Sequence, residues 1–163
     1  MIYANWTDMV ERFSLREMTQ LSDRDGIGEV NTSVLTRALD DATAFADSYL
    51  GRVYALPLAG CAKPVTTLGA PPARVPPPLL TRVVCDVARY FMYTDVADDH
   101  EAVRRYKAAE KDLAAIADGK AQLTCPWGGP PGAALASDVL QGQEAFHSFA
   151  PRAINDDSLR GFG

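Results

Sequence analysis

Residues 31–53, NTSVLTRALDDATAFADSYLGRV, carry the clearest helical pattern in the chain. Asn31 or Thr32 suits the N-terminal cap of a helix, because a short polar side chain accepts hydrogen bonds from the first free backbone N–H groups. Pro57 cannot continue a helix, so this helix should end between residues 51 and 56. Apolar side chains recur at the i, i+3, i+4 and i+7 spacing that predicts one buried helix face, namely Leu35, Ala38, Leu39, Ala42, Phe45, Ala46, Tyr49, Leu50 and Val53.

Two short helices are predicted before this segment. Asp8 and Glu11 have the spacing of a capping box, in which two side chains satisfy free N–H groups at a helix start. Ser14 stands at the same spacing from Glu17, which predicts a bend and a second short helix over residues 15–21. An apolar face for the first helix is provided by Met9, Val10 and Phe13.

Two long helices are predicted after residues 31–53. Prolines at 76–78 suit the first turn of the next helix, and its apolar face is wide enough for burial on more than one side. The last long helix, with Asp98 and Glu101 at capping spacing, should stop at Gly119. The sequence therefore predicts an all-α fold, a small helical bundle of three long helices plus short N-terminal helices, with a long proline-rich loop and an extended C-terminal tail.

Two segments lie outside this helical pattern. The proline-rich loop, residues 57–78, is either a connection lying over the helices or a segment that touches a neighbouring subunit. The tail has few apolar residues to offset the entropy that ordering costs, about 1–2 kcal/mol per residue. We therefore expect a helical domain, residues 1–124, and a C-terminal tail, residues 125–163, that becomes ordered on assembly. The candidate interface residues of the tail are Trp127, Phe146, Phe149, Leu159, Arg160 and Phe162.

Tyrosines recur along the predicted helices and allow two interpretations. Tyr49, Tyr54, Tyr90 and Tyr106 could form a binding patch, or they could pack in the core. We favour the core, because aromatic residues at helical spacing are more often buried there. A nearby arginine, Arg89, is a candidate partner in a buried or interfacial ion pair, and Arg52 is another.

The charge balance disfavours non-specific nucleic-acid binding. Lys+Arg 16 against Asp+Glu 21 gives a net charge of −5, whereas such binding requires clustered Lys and Arg. The basic positions of the last long helix are interrupted by acidic residues, in the order Arg104, Arg105, Lys107, Glu110, Lys111 and Asp112. Neither membrane insertion nor secretion is expected, because the chain lacks a long apolar span and a signal-peptide pattern.

The sequence contains no specific catalytic or metal-binding motif. A phosphate-binding loop, a dinucleotide fingerprint, HExxH and GxSxG are all missing. The acidic residues 23–29 depart from the spacing of a calcium loop, and His100 and His147 lack a nearby ligand set. Three cysteines without a CxxC pair predict neither a disulfide framework nor a zinc cluster, and Cys85 should be a small core residue. We expect no enzymatic activity, no cofactor and no metal.

Five stretches together resemble the Mu-like phage protein family of the virion neck, and they span almost the whole chain. Members of that family are head-completion or head–tail connector proteins. The stretches are MIYANWTDMVERF at 1–13, DATAFADSYLGRVYALPL at 41–58, DVARYFMY at 86–93, RRYKAAEKDLAAIADGKAQL at 104–123 and DDSLRGF at 156–162.

The resemblance implies a dodecameric ring of identical subunits docked beneath the portal protein. DNA would pass through the channel without sequence-specific binding, and a tail terminator or other neck proteins would bind below. The protein would be made in the bacterial host cytoplasm and carried in the neck of the virion. Rings form through heterologous contacts, to which the loop and the tail are suitable donors. The alternatives are a small helical DNA-binding or regulatory protein and, less favoured, a small helical enzyme.

Overall fold

The computed structural model describes residues 2–65 and 71–135. Within these ranges the chain forms helices α1 (Trp6–Phe13), α2 (Leu15–Ser22), α3 (Thr32–Leu50), α4 (Pro78–Met92) and α5 (Glu101–Ala117). Between α3 and α4, strands β1 (Cys61–Lys63) and β2 (Ala73–Val75) pair in antiparallel fashion. The protein is therefore mostly helical, and this small sheet corrects the prediction of an all-α chain. Three-residue strands are too short to show the alternating pattern that predicts a strand.

The long helices α3, α4 and α5 pack against one another. Phe45 and Tyr49 of α3 contact Tyr106 and Glu110 of α5 in the same order, so these two helices run parallel. Contacts between α4 and α5 run in the opposite order, which makes α4 antiparallel to both. Each large apolar side chain in the shared core contributes about 1.5–3 kcal/mol. Fully buried members include Met9, Met18, Leu35, Leu50, Leu80, Val83, Val84, Val87 and Leu113.

The helix starts follow local capping signals, with two corrections. The predicted caps Ser14 of α2 and Asn31 of α3 are confirmed. Helix α1 is capped by Asn5, and Asp8 is the third helical residue, whose side chain closes the capping box. Helix α5 is capped by His100, whose Nδ1 accepts a hydrogen bond from the Ala102 N–H at 3.1 Å. Both predicted boxes were placed on the wrong residue, because several polar residues near each start offer similar spacing.

The chain after α5 returns to the segment that follows α3. The Ala55 N–H donates to the Ala133 carbonyl at 2.9 Å, and the Leu135 N–H donates to the Val53 carbonyl at 2.8 Å. We call this contact the return bridge. The first part of the predicted tail therefore lies against the helical domain. Residues 136–163 lie outside the described residues, and ordering of the tail on assembly stays a prediction.

A disulfide bond between the buried residues Cys61 and Cys125 closes the same region. The expectation that the cysteines form no disulfide is wrong for this pair. The pairing depends on folding, which brings β1 beside the segment after α5, and spacing in the sequence does not show that approach. Cys85 is a buried free thiol in α4, as predicted, and burial raises its pKa to about 12.

The variant Tyr3→Phe should make the stability of the protein less sensitive to alkaline pH. Tyr3 is fully buried, and its hydroxyl donates a hydrogen bond to Asp47 of α3. Burial first, and then the Asp47 hydrogen bond and charge, raise the pKa of Tyr3 well above its usual value. The unfolded chain loses this proton near pH 10 while the folded chain keeps it. The free energy of unfolding should therefore fall as the pH rises above about 10.

Urea unfolding of both proteins between about pH 8 and pH 11 measures this dependence. At the lower pH the variant should be less stable by about 1 kcal/mol, the usual contribution of one hydrogen bond. At the higher pH that difference should close, because the wild-type protein loses about 1.4 kcal/mol per pH unit from this residue. A difference that stays constant over the range would contradict the assignment to Tyr3.

Candidate interaction surface

Five aromatic side chains from three helices meet at one surface of the protein, and we call them the aromatic patch. They are Phe45 and Tyr49 of α3, Tyr90 and Phe91 of α4, and Tyr106 of α5. The Phe45 ring centroid lies 5.2 Å from that of Tyr49 and 6.0 Å from that of Phe91. Tyr90 stacks on Tyr106 with 4.3 Å between the centroids. Each such pair contributes about 0.5–1.5 kcal/mol beyond area burial, so the rings hold one another in place.

The patch is partly covered and partly open to solvent. Phe91 is 39% exposed, and the other four rings are half-buried. The Tyr49 hydroxyl lies 3.4 Å from a carboxylate oxygen of Glu110, to which it donates a hydrogen bond. Burial first, and then the negative charge of Glu110, raise the pKa of both Tyr49 and Tyr106. These phenols therefore stay neutral near pH 7, and the patch presents ring surface with polar edges.

The four tyrosines considered in the sequence divide between the two interpretations. Tyr54 is a core residue, as predicted, because it is 4% exposed and its hydroxyl oxygen accepts the Leu123 N–H at 3.0 Å. Tyr49 and Tyr106 pack against the core as favoured, but each stays partly exposed, and Tyr90 is likewise half-buried. An apolar stripe identifies one helix face, but the packing of the neighbouring helices decides how much of that face is covered.

A shallow groove adjoins the patch at Phe91. Its volume is about 100 Å³. Both apolar and charged side chains line it, and the charged ones supply two guanidinium groups and one carboxylate. The groove could therefore take an apolar side chain that has an acidic neighbour. It is lined by Arg24, Val34, Arg37, Ala38, Asp41, Phe91 and Met92.

Two buried charged residues of α4 connect this helix to the surrounding helices. Asp86 is 3% exposed and lies 3.3 Å from Arg12 of α1 and 3.6 Å from Arg105 of α5. Arg89 lies 2.7 Å from Glu17 of α2, which confirms the expected buried ion pair. These pairs fix α1, α2 and α5 relative to α4. They therefore help to hold the helices that carry the aromatic patch in one arrangement.

The acidic segment before α3 is organised by its own backbone. The Asp23 carboxylate accepts hydrogen bonds from the Ile27 and Gly28 N–H groups at 2.9 and 2.6 Å. These bonds, that of Gly28 first, lower the pKa of Asp23. In residues 2–65 and 71–135, no cluster of His, Cys, Asp or Glu has a metal-binding arrangement. Over the same ranges, none of the helices has the length and hydropathy required to span a bilayer.

Of the six candidate interface residues, the structure describes Trp127. This side chain is 44% exposed and follows the disulfide-bonded Cys125. Its turn is closed by a 3.0 Å hydrogen bond from the Gly128 N–H to the Cys125 carbonyl. The other candidates fall outside the described part of the chain, and their role stays a prediction. They are Phe146, Phe149, Leu159, Arg160 and Phe162.

The chain is similar to known phage proteins over most of its length. The family model described as "Bacteriophage Mu, Gp36" matches residues 3–137. The "Mu-like prophage FluMu protein gp36" of Haemophilus influenzae is 29% identical over 122 residues, which is 75% of this chain and 75% of that protein. The family match includes all the helices described above, the aromatic patch and the return bridge.

Proposed function

The chain belongs to the Bacteriophage Mu Gp36 family, and from this premise we propose that it is a structural protein of the phage neck. In this proposal identical subunits form a dodecameric ring between the portal protein and the tail, and double-stranded DNA passes through its channel. A tail terminator or another neck protein binds below the ring. The protein is carried in the virion and acts through its surfaces, without enzymatic chemistry.

The aromatic patch is the observation that best supports an assembly role. Monomeric proteins rarely expose large contiguous apolar patches, and Tyr and Phe are enriched at the centres of protein interfaces. Three long helices supply the five rings, so the patch is a platform whose shape depends on the packed core. A closed ring requires a surface on each subunit that receives a different surface of its neighbour. The patch has the composition and rigidity of such a receiving surface.

The charges around α5 disfavour the alternative of a DNA-binding protein. Arg105 is held by Glu101 at 2.6 Å and by Asp86 at 3.6 Å. A second pair joins Arg82 of α4 to Asp112 of α5 at 2.6 Å. These contacts take cations of this region away from phosphate binding. The net charge of −5 suits a channel wall past which DNA must slide, because an acidic wall does not hold phosphates.

Electron microscopy of the purified protein mixed with the portal protein of the same phage tests this function. We expect an additional ring of density below the portal, at a fixed stoichiometry. Portal protein alone is the control. Portal rings that stay bare at saturating subunit concentration would show that the proposed location is wrong. DNA should cause no electrophoretic shift, even at low salt, and a shift abolished by reversing the charges on α5 would favour the DNA-binding alternative instead.

Trypsin should cleave the free subunit near its C-terminus and leave the helical domain intact. The sequence places Arg152 and Arg160 in the tail, which we predict becomes ordered only on assembly. Cleavage at Arg152 should leave residues 121–135 attached to the helices, because the sequence has no Lys or Arg between Lys120 and Arg152. Mass spectrometry of the products identifies the cut sites, and the same treatment of assembled rings should leave the tail protected. Equal resistance in the free and assembled states would contradict assembly-dependent ordering.

A further inference from the structure

We propose that the aromatic patch binds the C-terminal segment, residues 136–163, of a neighbouring copy of this chain. The inference rests on the proposed ring and names the two surfaces that meet between its subunits. Phe146 and Phe149 are the donor side chains. The exposed ring of Phe91 and the adjoining groove are the centre of the acceptor.

The acceptor is a rigid aromatic surface with an open centre. Phe91 is the most exposed ring of the patch, while Phe45 and Tyr106 support it from α3 and α5 with centroids 6.0 and 6.2 Å away. The groove beside Phe91 has a volume of about 100 Å³, which suits a single large apolar side chain. An incoming phenyl ring can pack against Phe91 in an edge or offset geometry, as the rings of the patch do with one another.

The point at which the described chain ends places the donor segment beside this surface. Leu135 is tied to Val53 by a 2.8 Å hydrogen bond, and Val53 lies in the turn that follows α3, four residues after Tyr49 of the patch. The 28 residues after Leu135 therefore begin near the C-terminal end of α3, on the Tyr49 side of the patch. Fully extended, they span about 90 Å at 3.3 Å per residue, which is enough to reach an adjacent subunit.

The composition of the segment complements the acceptor in both apolar surface and charge. Two phenylalanines stand three residues apart, and Glu144 precedes Phe146 by two residues. The guanidinium groups of Arg24 and Arg37 and the carboxylate of Asp41 line the groove, which gives its lining one net positive charge. A phenyl ring seated there brings the Glu144 carboxylate towards these guanidinium groups. The whole segment contains two arginines and four acidic residues, so it carries a net negative charge. The acidic residues are Asp138, Glu144, Asp156 and Asp157.

We expect the segment to bind a neighbour's patch, and not the patch of its own chain, because the subunits form a ring. A segment that returned to its own subunit would cover the patch without joining two copies. A heterologous contact requires the donor and the acceptor to lie on different copies. Each subunit then donates its segment to one neighbour and binds the segment of the other neighbour. Repeated around the assembly, this contact closes a ring when the rotation between adjacent subunits allows it.

Photocrosslinking of the full chain tests this exchange. A photoreactive phenylalanine analogue is placed at position 149 in unlabelled protein, which is mixed with an isotope-labelled wild-type subunit. The mixture is irradiated both alone at high concentration and on portal protein. We expect crosslinks from position 149 to peptides containing residues 45–49 or 90–91 that join an unlabelled to a labelled chain. Crosslinks within one chain, crosslinks to other surfaces or portal protein, or no crosslinks would each overturn the proposal.

Matched variants in the labelled subunit distinguish binding at the aromatic patch from non-specific hydrophobic association. Phe91→Ser should reduce the crosslink yield at least about ten-fold, the effect of a central interface residue. Leu15→Ser removes another exposed apolar side chain, 59% exposed and on α2, and should leave the yield unchanged. Equal loss in both variants would overturn the assignment. If rings form on the portal but the crosslinks fall elsewhere, the proposed exchange of C-terminal segments is wrong, while the proposed neck function still stands. Bare portal rings contradict the proposed function, and crosslinks in the concentrated protein still decide whether copies exchange segments.

Discussion

Reduction of the disulfide bond between Cys61 and Cys125 should lower the free energy of unfolding by about 4 kcal/mol. The bond joins residues 64 positions apart, and a closed loop of this length strongly restricts the unfolded chain. Opening it also removes the covalent support of the return bridge, where two backbone hydrogen bonds join residues 53–55 to residues 133–135. Urea unfolding of the same protein in its oxidised and reduced forms measures the difference without changing any side chain.

The control for this experiment is Cys85→Ala. Cys85 is buried in α4, and burial raises the pKa of its thiol to about 12, so it is a poor thiolate nucleophile for disulfide exchange. The variant should therefore respond to reductant as strongly as the wild-type protein does. Equal unfolding midpoints for the oxidised and reduced wild-type protein would show that the cross-link does not stabilise the fold.

The variant Glu17→Ala should destabilise the protein by about 3 kcal/mol, because it leaves a buried guanidinium without its carboxylate. The Arg89 side chain is 8% exposed and lies 2.7 Å from Glu17, which is itself 26% exposed. The guanidinium would keep the Phe13 ring, with 4.7 Å to its centroid, and the neutral Tyr93 side chain as neighbours. A cation–π contact of this kind contributes about 0.5–2 kcal/mol, less than the desolvation of an unpaired charge costs. Urea or thermal unfolding at constant ionic strength measures the loss.

Two further variants decide whether burial is the cause. Glu101→Ala breaks an exposed pair with Arg105 on α5, in which the side chains are 50% and 41% exposed. It should cost only about 0.3–0.5 kcal/mol, the usual contribution of such helix pairs. The double variant Glu17→Gln with Arg89→Met removes both charges and should recover much of the stability. A loss for Glu17→Ala no larger than that for Glu101→Ala would refute the importance of the buried pair.

The helices could be predicted because their signals are local. Apolar residues at helical spacing and a polar cap within a few residues decide where α3 begins, and Asn31 does cap it. Local signals become ambiguous where several polar residues stand close together. Asn5 and Asp8 are both good caps, and the packing of Met9 and Phe13 into the core decides between them. The start of α1 is therefore decided by tertiary packing, about which the local sequence pattern carries no information.

The sheet and the disulfide bond could not be predicted, and a patch of tyrosines could not be told from a core position, because each depends on contacts between distant parts of the chain. Cys61 and Cys125 approach only after the segment beyond α5 has returned to the end of α3. Phe45 and Tyr49 stand at the spacing of core residues, and the sequence does not tell which end of their stripe a neighbouring helix leaves open. The candidate interface residues were sought in the tail for its composition, whereas the patch lies on the three helices that were assigned to the core.

The return bridge also determines how a mechanical load would enter the subunit. A pull on the chain beyond residue 135 first meets the hydrogen bonds that join Leu135 to Val53 and Ala133 to Ala55. If these and the 2.7 Å hydrogen bond from the Gly60 N–H to the Pro131 carbonyl break, the load reaches Cys125, and the covalent bond carries it to Cys61. The force therefore bypasses α5, whose helical turns would otherwise be drawn out one after another. In the oxidised subunit, tension from a neighbour would pass from β1 towards the end of α3, while α4 and α5, which lie within the closed loop of residues 61–125, would be spared.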